Sequence, residues 1–404
     1  MVDVIVIGGG ASGMAAAISA ARNGNKVILF EKNNKLGRKV AASGNGKCNL
    51  TNANIASSFY HDAYKADLDL ILKQCDLDTV LEFMKSVGIR CKEKRGYYYP
   101  LSEQAAVVVQ MLQAELEHLQ VKLYFEERVT DVVQRKNGTF GVMTEKAEYC
   151  AKRVILASGG LAAPKLGADG IGYQILKDFG HTVIEPVPAL VQMLVQERYV
   201  KKISGVRTEA KICLSVGNQR FCEEGEIIFT DNGVSGIPVF QLSRYVTNAV
   251  KEKCNICLSI NVIPTRDKNS ILSDVSAMIQ YNPELPLEYL FRTYCNHKLV
   301  YALICEAGLD AQMPCRKLAN TQITKLIHNF QNMVLHITGT NGFEQAQVTR
   351  GGIPLNEVEP STMESKIIPG LHITGELLDI DGICGGYNLH FAWATGILAG
   401  NRKA

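Results

Sequence analysis

Four residues near the start of the chain have the types and spacing to hold a charged ligand. Gly8, Gly10 and Gly13 form G-x-G-x-x-G, and Glu31 follows at the next break in pattern. The first glycine permits a tight turn. The second lets backbone N–H groups reach a pyrophosphate, and the third lets a helix lie against the strand before it. Ala11 and Ser12 lie inside the same turn. A carboxylate at Glu31 can accept hydrogen bonds from both hydroxyls of an adenosine ribose, which favours FAD or NAD over NADP.

Further along, Ser43, Gly44, Asn45 and Gly46 make a loop too rich in turn formers for regular structure. Such a loop can bring backbone donors against a flat or anionic group. Arg38, Lys39 and Lys47 flank it and either offset phosphate charge or are simply solvated. Cys48, beside Lys47, has the setting of a reactive thiol, although buried inert thiols are commoner. Ala157, Ser158 and Gly159 end an apolar run, and Asp169 either caps a helix or meets a ligand. Near the end of the chain, Gly375-Glu376 and Asp381 precede Gly385-Gly386-Tyr387-Asn388, with His390 close behind. A glycine pair at a helix start leaves N–H donors and a positive dipole end, suited to negative charge on a reduced flavin ring.

Other chemistry finds little support. Cys254-x-x-Cys257 precedes a strand pattern, not a helix, and has no second pair to complete a zinc site. The eight histidines form no H-x-x-x-H or H-E-x-x-H, so no metal centre is expected.

These residues need a parallel sheet to present them. Val4–Ile7 is β-branched and continuous, the pattern of a strand buried on both faces. Met14–Ala21 reads as a helix of small residues, and Lys26–Phe30 as a second strand. Helices are expected over 68–87 and, capped by Ser102, over 103–118. Residues 121–125 and 129–133 read as strands, followed by a hairpin over 140–150 and a separate buried strand at 153–156. From 190 to 261 short alternating runs predict a small antiparallel barrel or sandwich, with 230–236 as a turn. Residues 270–330 read as mostly helical; strands at 347–353 and 371–374 and a final helix close the chain.

With 404 residues, 47% hydrophobic and 21% charged, the chain has the make-up of a globular protein of two or three domains. A net charge of +3 gives no strong pull toward nucleic acid or an anionic membrane. No signal peptide or membrane span is read, so a cytoplasmic protein is expected, its twelve cysteines reduced thiols.

The motifs together resemble the bacterial NAD(P)/FAD-dependent oxidoreductases of the YhiN/BaiN type, the aminoacetone-oxidase-like family. The resemblance rests on Gly8–Gly13, S-G-N-G-K-C-N-L-T-N at 43–52, A-S-G-G at 157–160 and G-A-D-G-I-G-Y at 167–173. It continues in V-T-R-G-G-I at 348–353, T-M-E-S-K at 362–366 and G-E-L-L-D-I-D-G-I-C-G-G-Y-N at 375–388. The family usually carries Arg where this chain has Lys47, which keeps the charge but not a bidentate contact.

The resemblance implies an α/β fold: a Rossmann-like FAD-binding domain of the GR2 type, built from residues 1–190 and 341–404. It implies an inserted antiparallel β-barrel at 191–262 and a helical subdomain at 263–340. Gly8, Gly10, Ala11, Ser12, Gly13, Glu31, Lys32, Arg38 and Val129 would serve the ADP half of FAD. Ser43, Gly44, Asn45, Gly46, Lys47, Cys48, Ala157, Ser158, Gly159, Gly375, Glu376, Asp381, Gly385, Gly386, Tyr387 and Asn388 would surround the rest. Cys48, Tyr387, Asn388 and His390 are the candidates for proton transfer or substrate contact. The expected activity is hydride exchange between flavin N5 and a small organic substrate at the interface of the two domains, with NADH or NADPH as transient donor. The family's bile-acid reductases imply a conjugated C=C in a steroid-type ketone. A flavin-dependent RNA-modifying protein, a non-catalytic flavin-binding module and a disulfide reductase are the alternatives.

Overall fold

The structure, a computed structural model, describes residues 2–61 and 64–401. It contains two compact units, 1–187 with 347–404, and 188–346.

The first unit is organised by β1 (Val2–Ile7), α1 (Ala11–Arg22) and β2 (Val27–Glu31). The apolar run of β1 lies between β2 and β3 (Glu148–Leu156), both parallel to it. Strand β4 (Leu371–Ile373) adds on the far side of β3, and Lys122–Phe125 beside β2, both parallel. Val4, Ile5 and Val6 are fully buried, as a strand covered on both faces requires. The sheet, of nine strands among the described residues, is a Rossmann-like arrangement assembled from both ends of the chain.

The closing helix α2 (Tyr387–Gly400) packs on α1, and its buried residues run almost all round it. Small side chains allow this closeness. A Cβ on Gly396 would stand 2.3 Å from the Ser12 carbonyl oxygen, and one on Gly400 would stand 2.4 Å from that of Ala16.

The second unit is a closed antiparallel barrel. Its strands are Met193–Val195, Arg207–Val216, Gln219–Thr230, Gly233–Ser235, Ile256–Asn261 and Met333–Thr340. Helices Lys268–Tyr281, His297–Glu306 and Asn320–Gln331 fill the excursion between its last two strands, and their apolar faces share one core with the barrel.

Several details differ from the sequence reading. Residues 148–156 are one strand, which pairs antiparallel with Phe140–Thr144 at its start and parallel with β1 further along. Ser102 does not cap a helix: Gln104 is the N-cap of Ala105–His118, and Glu103 takes a left-handed conformation (φ 50) that carries its carboxylate to Lys47 and Lys92. The expected turn at 230–236 contains the strand Gly233–Ser235. Met333–Thr340 belongs to the barrel, where its alternating burial puts every second side chain inside.

The cysteines are not all free thiols. Cys213 and Cys222 face each other across a hairpin with Cα atoms 4.1 Å apart, and they form a disulfide. Antiparallel register brings two residues together that the sequence spacing alone does not pair. Cys254 and Cys257 are not bonded to each other. Among the described residues there is no cluster of three or more His, Cys, Asp or Glu fit for a metal, and no helix long and apolar enough to cross a membrane.

Candidate active site

The turn from β1 into α1 is set by close backbone approach. Gly8 has φ 105, a region side chains disfavour, and its N–H donates to the Phe30 carbonyl at 2.9 Å. A Cβ on Gly13 would lie 1.9 Å from the Gly8 carbonyl oxygen, so only glycine lets the helix start there. Gly10 is the N-cap with no side-chain cap, and the space over its Cα is open: a Cβ there meets nothing within 4 Å. Ala11, Ser12 and Gly13 thus begin a helix whose first N–H groups lack a side-chain acceptor.

Glu31 ends β2 as a buried carboxylate. One oxygen accepts the Gly9 N–H at 2.9 Å, and the other accepts the Asn33 N–H and side-chain amide at 2.8 and 2.6 Å. The oxygen that accepts Gly9 keeps a second lone pair for another donor, whereas the other already accepts two hydrogen bonds. Lys32 pairs with Asp169 at 2.7 Å, and Arg38 donates to the Asn33 side-chain oxygen at 2.6 Å. Asp169 also accepts the Ile171 N–H at the start of Ile171–Asp178. Val129 is buried at the head of Val129–Gln134.

The middle of the cradle is drawn together by Glu376. One of its oxygens accepts the Thr349 N–H at 2.7 Å, and the other meets the Lys39 ammonium at 2.6 Å. The Thr349 hydroxyl accepts N–H groups from Leu161 and Ala162 at 2.8 and 2.9 Å, which fixes the loop that follows Ala157, Ser158 and Gly159. Gly375 N–H donates to the Thr395 hydroxyl at 3.0 Å, and a Cβ at Gly375 would crowd Ser12.

The last wall joins the loop Ser43, Gly44, Asn45, Gly46 to the start of α2. Gly44 and Asn45 are both left-handed, and Ser43 donates back to the Val40 carbonyl at 2.7 Å. Lys47 pairs with Glu103 at 3.0 Å; hydrogen bonds from Lys92 and then Lys47 hold Glu103 down at about 2. Asn52 donates to the Gly385 carbonyl at 2.9 Å, and the Tyr60 hydroxyl to the Tyr387 carbonyl at 2.9 Å. Asp381 is buried, with one oxygen 3.4 Å from His61 Nδ1. Gly386, the N-cap of α2, gives that helix no side-chain cap.

These walls fit a dinucleotide. Among the described residues, Ser158 Oγ and Asn49 Oδ1 are buried with no hydrogen-bond partner. Ser158 follows β3, and Asn49 Oδ1 would lie 2.9 Å from a Cβ on Gly386. Buried polar atoms are normally satisfied. Two orphaned polar atoms, two uncapped helix starts and the open space at Gly10 are what a polar ligand with hydroxyl, amide and phosphate groups would complete.

The four candidates for proton transfer fare differently. Cys48 is fully buried, and burial pushes its thiol up to about 12, against a smaller opposing effect of Ser43. It stays a neutral thiol. His390 is fully buried between the Thr51 hydroxyl at 2.8 Å and the Cys75 carbonyl at 3.1 Å, and burial pushes it down to about 4. Both environments suit packing rather than proton exchange. Asn388 has both amide ends tied to the Gly382 backbone at 2.8 Å and braces that loop. Tyr387 stacks on Phe59 with centroids 4.9 Å apart, and burial pushes its hydroxyl up to about 12, so it keeps its proton.

The sequence reading did not single out Thr349, Asn49, Asn52, Tyr60 or His61. Thr349, Asn49 and Asn52 lie in the segments that carried the family resemblance, which was the available signal; Tyr60 and His61 offered none.

The family described as HI0933-like protein Rossmann domain matches residues 2–402. The 3-dehydro-bile acid delta(4,6)-reductase of Clostridium scindens is 39% identical over 402 residues, covering 99% of this chain and 98% of the relative. The ribosomal RNA dihydrouridine synthase of Haemophilus influenzae is 28% identical over 398 residues, covering 97% and 96%. The 3-ketosteroid delta1-dehydrogenase of Sterolibacterium denitrificans, solved with 1,4-androstadiene-3,17-dione, matches with a TM-score of 0.53 and 13% identity over 99% of this chain and 98% of that one, a likeness of fold. This chain belongs to the HI0933-like family and is an FAD-dependent oxidoreductase.

Proposed function

We propose that the protein reduces a C=C bond conjugated to a ketone in a steroid or bile-acid-like substrate, with NADH or NADPH as the electron donor. The observation that carries the redox part is the single cradle made from both chain ends, with orphaned Ser158 and Asn49 atoms on its walls. The full-length similarity to a 3-dehydro-bile acid reductase supports the substrate class.

Bound FAD would supply two-electron exchange at its N5. The chain would do the rest. Gly8–Gly13 and Glu31 would hold the ADP half, while the loop at 43–48, Ser158 and Glu376 would line the path toward the ring. The uncapped start of α2 at Gly386 offers N–H donors and a positive dipole end to negative charge on the ring. A conjugate reduction needs a proton on the carbon next to the ketone. Tyr387 is our candidate donor: it stays protonated at neutral pH, and its hydroxyl has no hydrogen-bond partner among the described residues. No second strand-G-x-G-x-x-G-helix unit is read for the nicotinamide, so it would dock without that motif.

A second reading has its own support, since relatives from Haemophilus influenzae and Escherichia coli are named ribosomal RNA dihydrouridine synthase. The chemistry is close: the uracil C5=C6 bond is also conjugated to a carbonyl. Anaerobic reduction with NADH or NADPH, followed by oxidants added separately, tells the two apart. A 3-dehydro-Δ4,6 bile acid should restore the flavin absorbance and be reduced. If it does not, and a uridine in ribosomal RNA becomes dihydrouridine instead, the steroid reading is wrong.

A further inference from the structure

A cationic cleft beside the expected ring position carries a further assignment, which rests on the proposed reduction. Cys91–Lys94 and Tyr97–Pro100 form a hairpin, and its second strand pairs with Thr51–Asn52. Alternation along that strand puts Tyr97 and Tyr99 on one face. With Lys94 and Arg95 at the hairpin tip, and Lys47 and Glu103, they line a cleft of about 190 Å³.

Three cations meet one carboxylate there. Glu103 is already engaged by Lys47 at 3.0 Å and Lys92 at 2.8 Å. Lys94 and Arg95 have no carboxylate partner among the described residues, although Arg95 holds a left-handed backbone (φ 55) at the tip. Two walls of the cleft touch the expected cofactor site. Lys47 ends the loop that begins at Ser43, and a Cβ on Gly385 would stand 3.2 Å from the Tyr97 ring.

We infer that this cleft binds the acidic end of the substrate: a carboxylate on Lys94 and Arg95, and the adjoining apolar chain between Tyr97 and Tyr99. The size agrees. A short carboxylate-ended chain needs no more room than this. A nucleic-acid strand fits less well, because the Glu103 carboxylate lies among the cations and the net charge of the whole chain is only +3.

The test compares a 3-dehydro-Δ4,6 bile acid with its uncharged methyl ester, in wild-type holoenzyme and in K94Q/R95Q. Affinity is read by equilibrium dialysis, so it does not depend on turnover, and KM and kcat are read alongside. Wild type should prefer the acid about tenfold. The double variant should lose that preference through the affinity and KM of the acid, with kcat little changed, while Arg95→Lys should keep much of it. An acid-to-ester ratio unchanged in K94Q/R95Q, or no measurable binding of either probe, overturns the assignment. Turnover of both probes at an unchanged ratio would leave the proposed reduction standing and remove only the acid site. So would a loss of ribosomal RNA hairpin binding in the double variant with the ratio intact, which would turn the cleft over to nucleic acid.

Discussion

The meeting of the two chain ends can be tested at one methyl group. Gly396 lies inside α2, where alanine is intrinsically better than glycine by about 0.5–1 kcal/mol. On an exposed helix Gly396→Ala would therefore stabilise. Here the added Cβ stands 2.3 Å from the Ser12 carbonyl oxygen and 3.0 Å from both the Ala15 Cβ and the Ser12 carbonyl carbon, whereas ordinary contact starts at 3.4 Å. The two helices must part by about 1 Å, and overpacking of this kind costs about 1–3 kcal/mol. The expected net effect is a loss of about 1–2 kcal/mol. Trp393, the single tryptophan, is fully buried on α2 itself and donates to the Leu50 carbonyl at 3.2 Å. Its fluorescence during urea unfolding of the FAD-free protein therefore reports this unit alone. Gly10→Ala is the control, because its Cβ meets no protein atom within 4 Å. It should leave the urea midpoint unchanged and weaken FAD binding about tenfold or more, since the methyl enters the space needed by the pyrophosphate. A wild-type midpoint in Gly396→Ala would refute the close crossing of α1 and α2. Wild-type FAD affinity in Gly10→Ala would refute the placement of the phosphates.

Two further outcomes follow from buried titratable groups. His372 and His390 are both held neutral, pushed by burial from 6.5 to about 4. The unfolded chain therefore binds more protons between these values, so stability is full above about pH 6.5 and falls as pH drops toward 4. The slope is up to about 1.4 kcal/mol per pH unit for each histidine; a Trp393-reported midpoint that is flat from pH 7 to 5, or equally steep in His390→Gln, contradicts this. At pH 8, iodoacetamide should label exposed Cys305 in the native protein and spare Cys48 and Cys75, both pushed up to about 12 by burial. Peptide mapping that finds Cys48 labelled as fast as Cys305 would show that its thiol is activated after all.

The N-terminal βαβ unit was legible because everything that makes it is local. A β-branched run, three glycines at fixed offsets and a helix of small residues each act within a few positions. Barrel strands were legible at 210–216, within the observed Arg207–Val216, and at 256–261 for the same reason: alternation with a period of two survives in any half-buried strand. Local pattern also has a limit. It divided Glu148–Leu156 into two strands because the pattern changes where the partner changes, from Phe140–Thr144 to β1.

Only the tertiary structure decided which side chains meet across large separations. Ser12 against Gly396, Thr51 against His390, Asn52 against Gly385 and Lys39 against Glu376 are pairs more than 300 residues apart, and no pattern within a window specifies them. Nor could spacing say that Cys213 faces Cys222, or that Cys48 and His390 would be enclosed and kept neutral. Backbone conformation follows from nearby residues, so the sequence by itself determined the glycine turn into α1, most element types and the family. Burial and protonation follow from what the rest of the chain places around a group, so the roles of individual side chains had to wait for the fold.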